Sequence, residues 1–498
     1  MTAQVSKHYE IADGDEHFNH RNYTMALPIY KEILKNDKNN KDLQFKIAQC
    51  YLNTYFNKPE AIKYLEFVTK DEKYNTEAWL LLGQAYRIAN KLDDAVKAFN
   101  KYKEKEPKKK AEAERQIEIC NNAKRLMQSP VNVSFTNLGK DINSEFADYY
   151  PWIDKDESFL AFTTRRKGLT TTKVEMDGYY ASDVYTSQLE NGKWAKAVNA
   201  GNKINTSLDE QVVSMKADAS EMYIYIDHID KFGDIYISTK KNGAFQKIVP
   251  LPEVINKDFE HAASVSADGN TLFFVRQVNK DESTDIYMVR KLPNGTWSAA
   301  QKLSDEINTP YNEDFPYLSI DGHTLYFSSE GHNTMGGYDL FKSTWDPENN
   351  TWSPAENLGY PVNTTDDDRS ISLTPDNRVG YISALRPGGL GDLDIYRIKF
   401  NDIDQKLTLY LGQVILGDST NKPKEYNVTI TAVNDASNEE YSFVPNHDNG
   451  KLVMALPAGN YTITISSDGY ADASDKLSVS DLGTPISEEK KNYILRKK

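Results

Sequence analysis

The sequence predicts a multidomain chain, α plus all-β: an α-helical repeat solenoid, a five-bladed β-propeller and a small β-sandwich. Three observations lead there. Residues 1–128 carry a helical hydrophobic period with almost no two-residue alternation. Residues 129–402 repeat one strand-rich phrase five times, at intervals of about 50–60 residues, the period of an array with several strands per unit. Residues 403–498 alternate in short runs separated by turn residues.

In the first segment the sharpest stretch runs from Thr76 to Pro107. Trp79, Leu82, Gly83, Tyr86, Ala95, Phe99 and Pro107 fall on the spacing of a tetratricopeptide repeat. Gly83 and Ala95 are small, so two helices can cross closely, and the aromatic residues fill the wedge between them. Pro107 ends the second helix by removing a backbone donor. Gly14, Ala26 and Tyr30 mark a first copy; Ala48, Tyr51, Ala61 and Leu65 mark a second. A further helix over about 111–127 caps the stack. The concave face of such a solenoid is a groove for a peptide or a partner's tail. By register Ile11, Phe18, Asn19, Phe45, Gln49, Asn53, Leu80, Gln84 and Arg87 line it. Packing of some of these inside the stack is the alternative.

In the second segment the clearest copy reads Phe315-Pro316-Tyr317-Leu318-Ser319-Ile320-Asp321-Gly322, then Leu325-Tyr326-Phe327, then Tyr338-Asp339-Leu340-Phe341. The turn aspartates of the five copies are Asp156, Asp218, Asp268, Asp321 and Asp376. A second aspartate precedes the third strand in each copy: Asp183, Asp234, Asp285, Asp339 and Asp394. A residue needed once per blade reads as architecture, holding loop amides to the strand, rather than as a metal ligand. Each copy closes on an apolar residue followed by Asn, as in Ile204-Asn205-Thr206 and Val362-Asn363-Thr364. Ile142-Asn143 repeats that phrase ahead of the first copy, while the fifth copy stops after Tyr396 with no outer strand. Residues 131–138 are therefore expected to supply that strand and remove the open edge.

Composition narrows the function. The net charge is −14 and the pI about 5.2, which argues against nucleic acid as a partner. No apolar run approaches the ~18 residues of a transmembrane segment. Cys50 and Cys120 sit on helical patterns and read as small core residues, with a disulfide between them as the alternative. Asp366-Asp367-Asp368 lacks the glycine-punctuated spacing of a calcium loop. No nucleophile elbow, Walker loop or zinc-protease motif is present, and Gly388-Gly389-Leu390-Gly391 precedes a strand instead of a phosphate-binding helix. His228 with Asp227 and Asp230, and His332 after Glu330, lie in variable loops without a nucleophile motif. No enzymatic activity, cofactor or metal is expected. Tyr150, Trp152, His261 and Phe315 lie near inner-strand starts, where they either converge on the channel mouth or pack between blades.

The middle segment, with its Asp-Gly turn, Tyr-Phe strand and Asp-Ile-Tyr strand, resembles the TolB-type propeller repeat. The last segment, with Gly412-Gln413-Val414, Leu456-Pro457-Ala458-Gly459-Asn460-Tyr461 and Gly469-Tyr470, resembles the carboxypeptidase regulatory-like domain, a transthyretin-like β-sandwich. In this order the three parts resemble the PorE-like periplasmic proteins of the Bacteroidota type IX secretion system. The resemblance implies a non-enzymatic interaction scaffold, associated with the outer membrane and binding proteins or peptides of the envelope or secretion apparatus. A receptor for a glycan or cell-wall fragment is the alternative. Thr2-Ala3-Gln4 resembles the tail of a cleaved export signal, which agrees with a periplasmic location; a cytosolic start is the alternative. Such proteins also carry an OmpA-like peptidoglycan-binding domain and often a lipidated cysteine. The 498 residues contain neither, so peptidoglycan contact and tethering are not carried over.

Overall fold

The computed structural model describes residues 10–168, 174–228, 231–403, 407–417, 425–457, 459–479 and 491–498. Thr2, Ala3, Gln4, Asp230 and Ala458 lie outside them. Among the described residues seven α-helices come first: α1 (Ile11–Asn19), α2 (Tyr23–Leu34), α3 (Lys41–Leu52), α4 (Ala61–Val68), α5 (Glu77–Ile88), α6 (Leu92–Lys105) and α7 (Lys110–Gln128). Their starts are legible locally. Asn22 and Asn40 each accept the backbone N–H three residues on, at 3.2 and 3.0 Å, satisfying a donor the first turn cannot. The helices pair as three hairpins because small residues sit at the crossings. A Cβ on Gly14 would fall 2.3 Å from the Tyr30 ring, and one on Gly83 would fall 2.4 Å from Phe99. Ala26, Ala48, Ala61 and Ala95 are fully buried between the same helices.

Five antiparallel sheets follow among the described residues. Sheet I starts with Asp148–Ile153, sheet II with Asp209–Met215, sheet III with Phe259–Val265, sheet IV with Glu313–Leu318 and sheet V with Ile371–Leu373. Their first strands pack against one another, and hydrogen bonds join each sheet to the next. Val212 N–H donates to Thr163 Oγ1, Val265 N–H to Ser214 Oγ and Leu318 N–H to Ser264 Oγ, at 2.9–3.0 Å. Tyr317 Oη donates to the Leu373 carbonyl at 2.8 Å. Ile153 N–H donates to Ser372 Oγ at 3.1 Å, which returns the circuit from sheet V to sheet I. The outer strand of sheet V is Val133–Asn137, paired antiparallel with Asp394–Phe400 and placing Asn137 opposite Tyr396.

The turn aspartates behave as architecture. Asp268, Asp321 and Asp376 each accept the N–H two residues on, at 2.9–3.1 Å. Residues 408–495 form two further sheets, one of three strands and one of four, around a shared core that includes Val414, Ile430, Leu452, Tyr461 and Ile463. Within the first of these, Thr408–Leu416 and Lys491–Leu495 run parallel. Among the described residues no helix is long and apolar enough to cross a membrane.

Candidate functional site at the helix–sheet junction

The phrase apolar-Asn closes each sheet through one device. The Asn205 carboxamide accepts Val184 N–H at 2.8 Å and donates to Val184 C=O at 2.9 Å. Asn256 does the same to Ile235, Asn308 to Ile286 and Asn363 to Leu340. A planar amide matches a peptide's donor and acceptor together, so the loop is fixed to the third strand without a further backbone ladder. The aspartates preceding those strands are held in the same network. Asp183 accepts Asn199 Nδ2 at 2.9 Å, and Asp339 accepts Asn357 Nδ2 at 2.7 Å.

Four or five residues after that asparagine, at or near the start of each first strand, lies a buried carboxyl: Asp148, Glu210, Glu260, Glu313 and Asp368. Loop groups a few residues earlier donate to it. Thr309 N–H and Oγ1 reach Glu313 at 2.8 and 2.7 Å, and Thr364 N–H and Oγ1 reach Asp368 at 2.6 and 2.9 Å. Burial raises all five acids, Glu210 and Glu313 to about 7.

The residues that follow these acids gather at one end of the circuit. The first and second strands slip register between Tyr149 and Trp152, between Glu260 and Ala263, and between Asp314 and Tyr317. Such bulges re-aim side chains. Tyr150 and Phe315 sit at these bulges with φ of +53° and +44°, and their rings meet at 4.4 Å. His261 lies 6.4 Å from Phe315 and contacts both Asp314 carboxylate oxygens at 2.9 Å. Three of the four expected mouth residues are thus together. Trp152 is not: it is 8% exposed, beyond the bulge, and packs on Tyr317 in the core.

The helices cover this end through their turns, with α7 beside them. Lys58, between α3 and α4, contacts both Asp366 oxygens at 2.6 and 2.8 Å. Thr365 Oγ1 donates to Asn90 Oδ1, between α5 and α6, at 3.1 Å. A Cβ on Gly178 would strike the Asn22 side chain, between α1 and α2, at 2.6 Å. From α7, Arg115 donates to the carbonyls of Glu330, Gly331 and His332 at 2.7–3.1 Å, and Asn122 to that of Thr334 at 3.1 Å. Leu92, Ala123 and Met335 form a small apolar cluster beneath. Charge favours the union: residues 1–128 hold 23 Lys and Arg against 19 Asp and Glu, the remainder 36 against 54. The junction encloses a cavity of about 330 Å³, with Tyr55 on the helical side and Tyr149, Tyr150, Gln211 and Arg369 on the sheet side.

The expected groove residues divide. Ile11, Asn19 and Asn53 are exposed, and Phe18, Gln49 and Gln84 half-buried. Phe45 is buried against Tyr74, and Leu80 packs with Phe99 and Ile117. Arg87, in the last turn of α5, is buried and donates to Gln116 on α7 at 2.9 Å. Its place is against α7 rather than in an open groove.

Other candidates resolve locally. Asp366, Asp367 and Asp368 face three different partners, Lys58, Arg369 and Thr364, so the triplet does not converge on one point. Among the described residues no group of three His, Cys, Asp or Glu is arranged to hold a metal. Leu390 and Gly391 N–H groups donate to Asp394, which accounts for the glycine-rich loop. His332 contacts the Ile307 carbonyl at 3.0 Å, and burial lowers its pKa. Cys50 and Cys120 are free and buried, their thiols pushed up to about 12 and 11 by burial.

Residues 57–109 match the tetratricopeptide repeat family. No curated protein matches the chain. Among solved structures it is similar to TolB from Acinetobacter baumannii, at 15% identity and a TM-score of 0.34, over 52% of this chain and 56% of that one. It is also similar to an endo-arabinase from Bacteroides thetaiotaomicron, at 14% identity and 0.34, over 54% and 98%. A β-1,2-mannobiose phosphorylase from Listeria innocua aligns at 7% identity and 0.36, over 55% and 98%.

Proposed function

We propose that this protein is a non-enzymatic interaction scaffold in which a helical repeat stack and a sheet circuit act as one body. The carrying observation is the way they join. The stack meets the sheets through its turns and α7, while Ile11, Asn19, Gln49, Asn53 and Gln84 make no described hydrogen bond or ion pair to the sheets. A peptide-binding groove and a platform are thereby held in fixed relation. We read the circuit, residues 129–402, as a five-bladed propeller closed by residues 131–138, and residues 403–498 as a transthyretin-like sandwich. The resemblance of the three-part order supports an exported, periplasmic protein, associated with the outer membrane and with type IX secretion, whose partners are envelope or secretion proteins. The test is capture of partners from envelope extract by the intact chain and by a Gln49→Arg, Asn53→Arg, Gln84→Arg variant. The reading expects the intact chain to retain defined partners and the variant to lose at least one. Equal recovery by both removes the groove.

One observation favours a second reading, a receptor for a glycan or cell-wall fragment. The junction cavity is at the lower end of the ~300–1,000 Å³ typical of small-ligand sites and lies where such sites concentrate, between domains. Calorimetric titration with short glycans tests it directly.

A further inference from the structure

We propose that the junction cavity binds an acidic sugar, one pyranose ring or two bearing a carboxylate. This rests on the receptor reading and adds the ligand's charge and the residues that read it. Four cationic side chains border the cavity: Lys58, Arg165, Arg369 and Arg386. Two of them are already engaged. Lys58 is taken by Asp366. Arg165 donates to the Tyr180 carbonyl, Asp177 and Glu175. The other two keep donors in reserve. Among the described residues Arg369 makes one hydrogen bond, to Asp367 at 2.9 Å, and its guanidinium is fixed over the Tyr338 ring at 4.4 Å. Arg386 makes one, to the Pro361 carbonyl at 2.8 Å, and is fixed over Phe135 at 3.5 Å.

A guanidinium stacked on a ring is oriented before any ligand arrives, and its planar fork matches a carboxylate. Asp368, which also lines the cavity, accepts Thr364 N–H and Oγ1 and is raised by burial. Tyr55 and Tyr150 also line the cavity, with no described hydrogen bond on either hydroxyl. Aromatic faces offer an apolar surface to the C–H side of a sugar ring, while their hydroxyls, Gln211 and Asp367 meet its hydroxyls. An apolar ligand would strand these polar groups without partners. A polymer chain does not fit the volume.

The experiment is titration calorimetry of the intact chain with N-acetylmuramic acid, D-glucuronic acid and N-acetylglucosamine, the last sharing the first one's ring without its carboxylate. At least one acid binds tenfold or more tightly than N-acetylglucosamine. Arg369→Gln and Arg386→Gln each narrow that gap, and Tyr55→Ala, in an exposed turn, weakens the acid that binds. Melting temperatures identify any variant that misfolds, and Tyr55→Ala stands as the second probe in that case. Binding of N-acetylglucosamine as tight as both acids overturns the acidic-sugar assignment while leaving the receptor reading intact. Absence of saturable binding by all three up to about 10 mM, weaker than ~3 kcal/mol, overturns both.

Discussion

The Asn143 carboxamide holds both the N–H and the C=O of Ile395, a residue 252 positions away, at 2.8 and 3.0 Å. In every other sheet the corresponding asparagine acts within about two dozen residues, as Asn205 does on Val184, 21 positions away. The long separation is the local signature of closure: the loop that should end sheet V is found before sheet I. Asn143→Ala removes two buried bonds and leaves a strand peptide unpaired. It should cost about 2 kcal/mol or more, read as a fall in the denaturation midpoint. Asn205→Ala should cost a similar amount. A neutral Asn143→Ala would show that residues 131–143 do not complete the last sheet.

Gly83→Ala sets two effects against each other. Alanine is the better helix former by about 1 kcal/mol. The new methyl, however, meets the Phe99 ring at 2.4 Å in a packed crossing, and overpacking costs about 1–3 kcal/mol. The crossing should win, so the variant is expected to melt lower by circular dichroism at 222 nm. A higher melting temperature would mean that α5 and α6 cross less closely than described.

Stability should fall as pH rises through neutrality. Burial lifts Glu210 and Glu313 from the ordinary glutamate value of 4.5 to about 7, so the folded state favours their protonated forms. A raised carboxyl pKa gives a contribution present in full below about pH 4.5 and lost as pH rises through about 7. Each group is worth roughly 1–3 kcal/mol across that window. The sheet region should melt lower at pH 8 than at pH 5.5, and Glu313→Gln should flatten the profile. A profile that climbs over this range, unchanged by the substitution, contradicts the assignment.

The Lys58–Asp366 pair ties the stack to sheet V with side chains only 14% and 27% exposed. Lys58→Glu replaces attraction by repulsion at a junction with little room for water. It should weaken docking by about 1.5–3 kcal/mol, seen as faster hydrogen exchange in both partners' loops. The exchanged pair Lys58→Asp with Asp366→Lys should restore protection. Unchanged exchange in the single variant would show that α7 alone holds the junction.

Repetition made the fold legible. A phrase recurring five times reports what each sheet requires, and the displaced Ile142-Asn143 reports where the ring joins. The junction had no such signal, because it rests on single contacts such as Lys58 to Asp366, 308 positions away, that no other copy repeats. Arg87 shows the cost of register alone: the helical pattern puts it on the groove face, but in the third copy α7 covers it. Trp152 fails for a different reason. Tyr150 and Trp152 are two apart and would share a face in a regular strand, but the bulge between them breaks the alternation.

The central claim is that the helical groove is a docking surface on a body held against the sheets. The direct measurement is photo-crosslinking in intact cells, with a reactive residue replacing Gln84 in the groove or Lys193 on the outer edge of sheet I. The account predicts discrete protein adducts from position 84 and none from 193. Adducts from 193 alone, or from neither position, would contradict it.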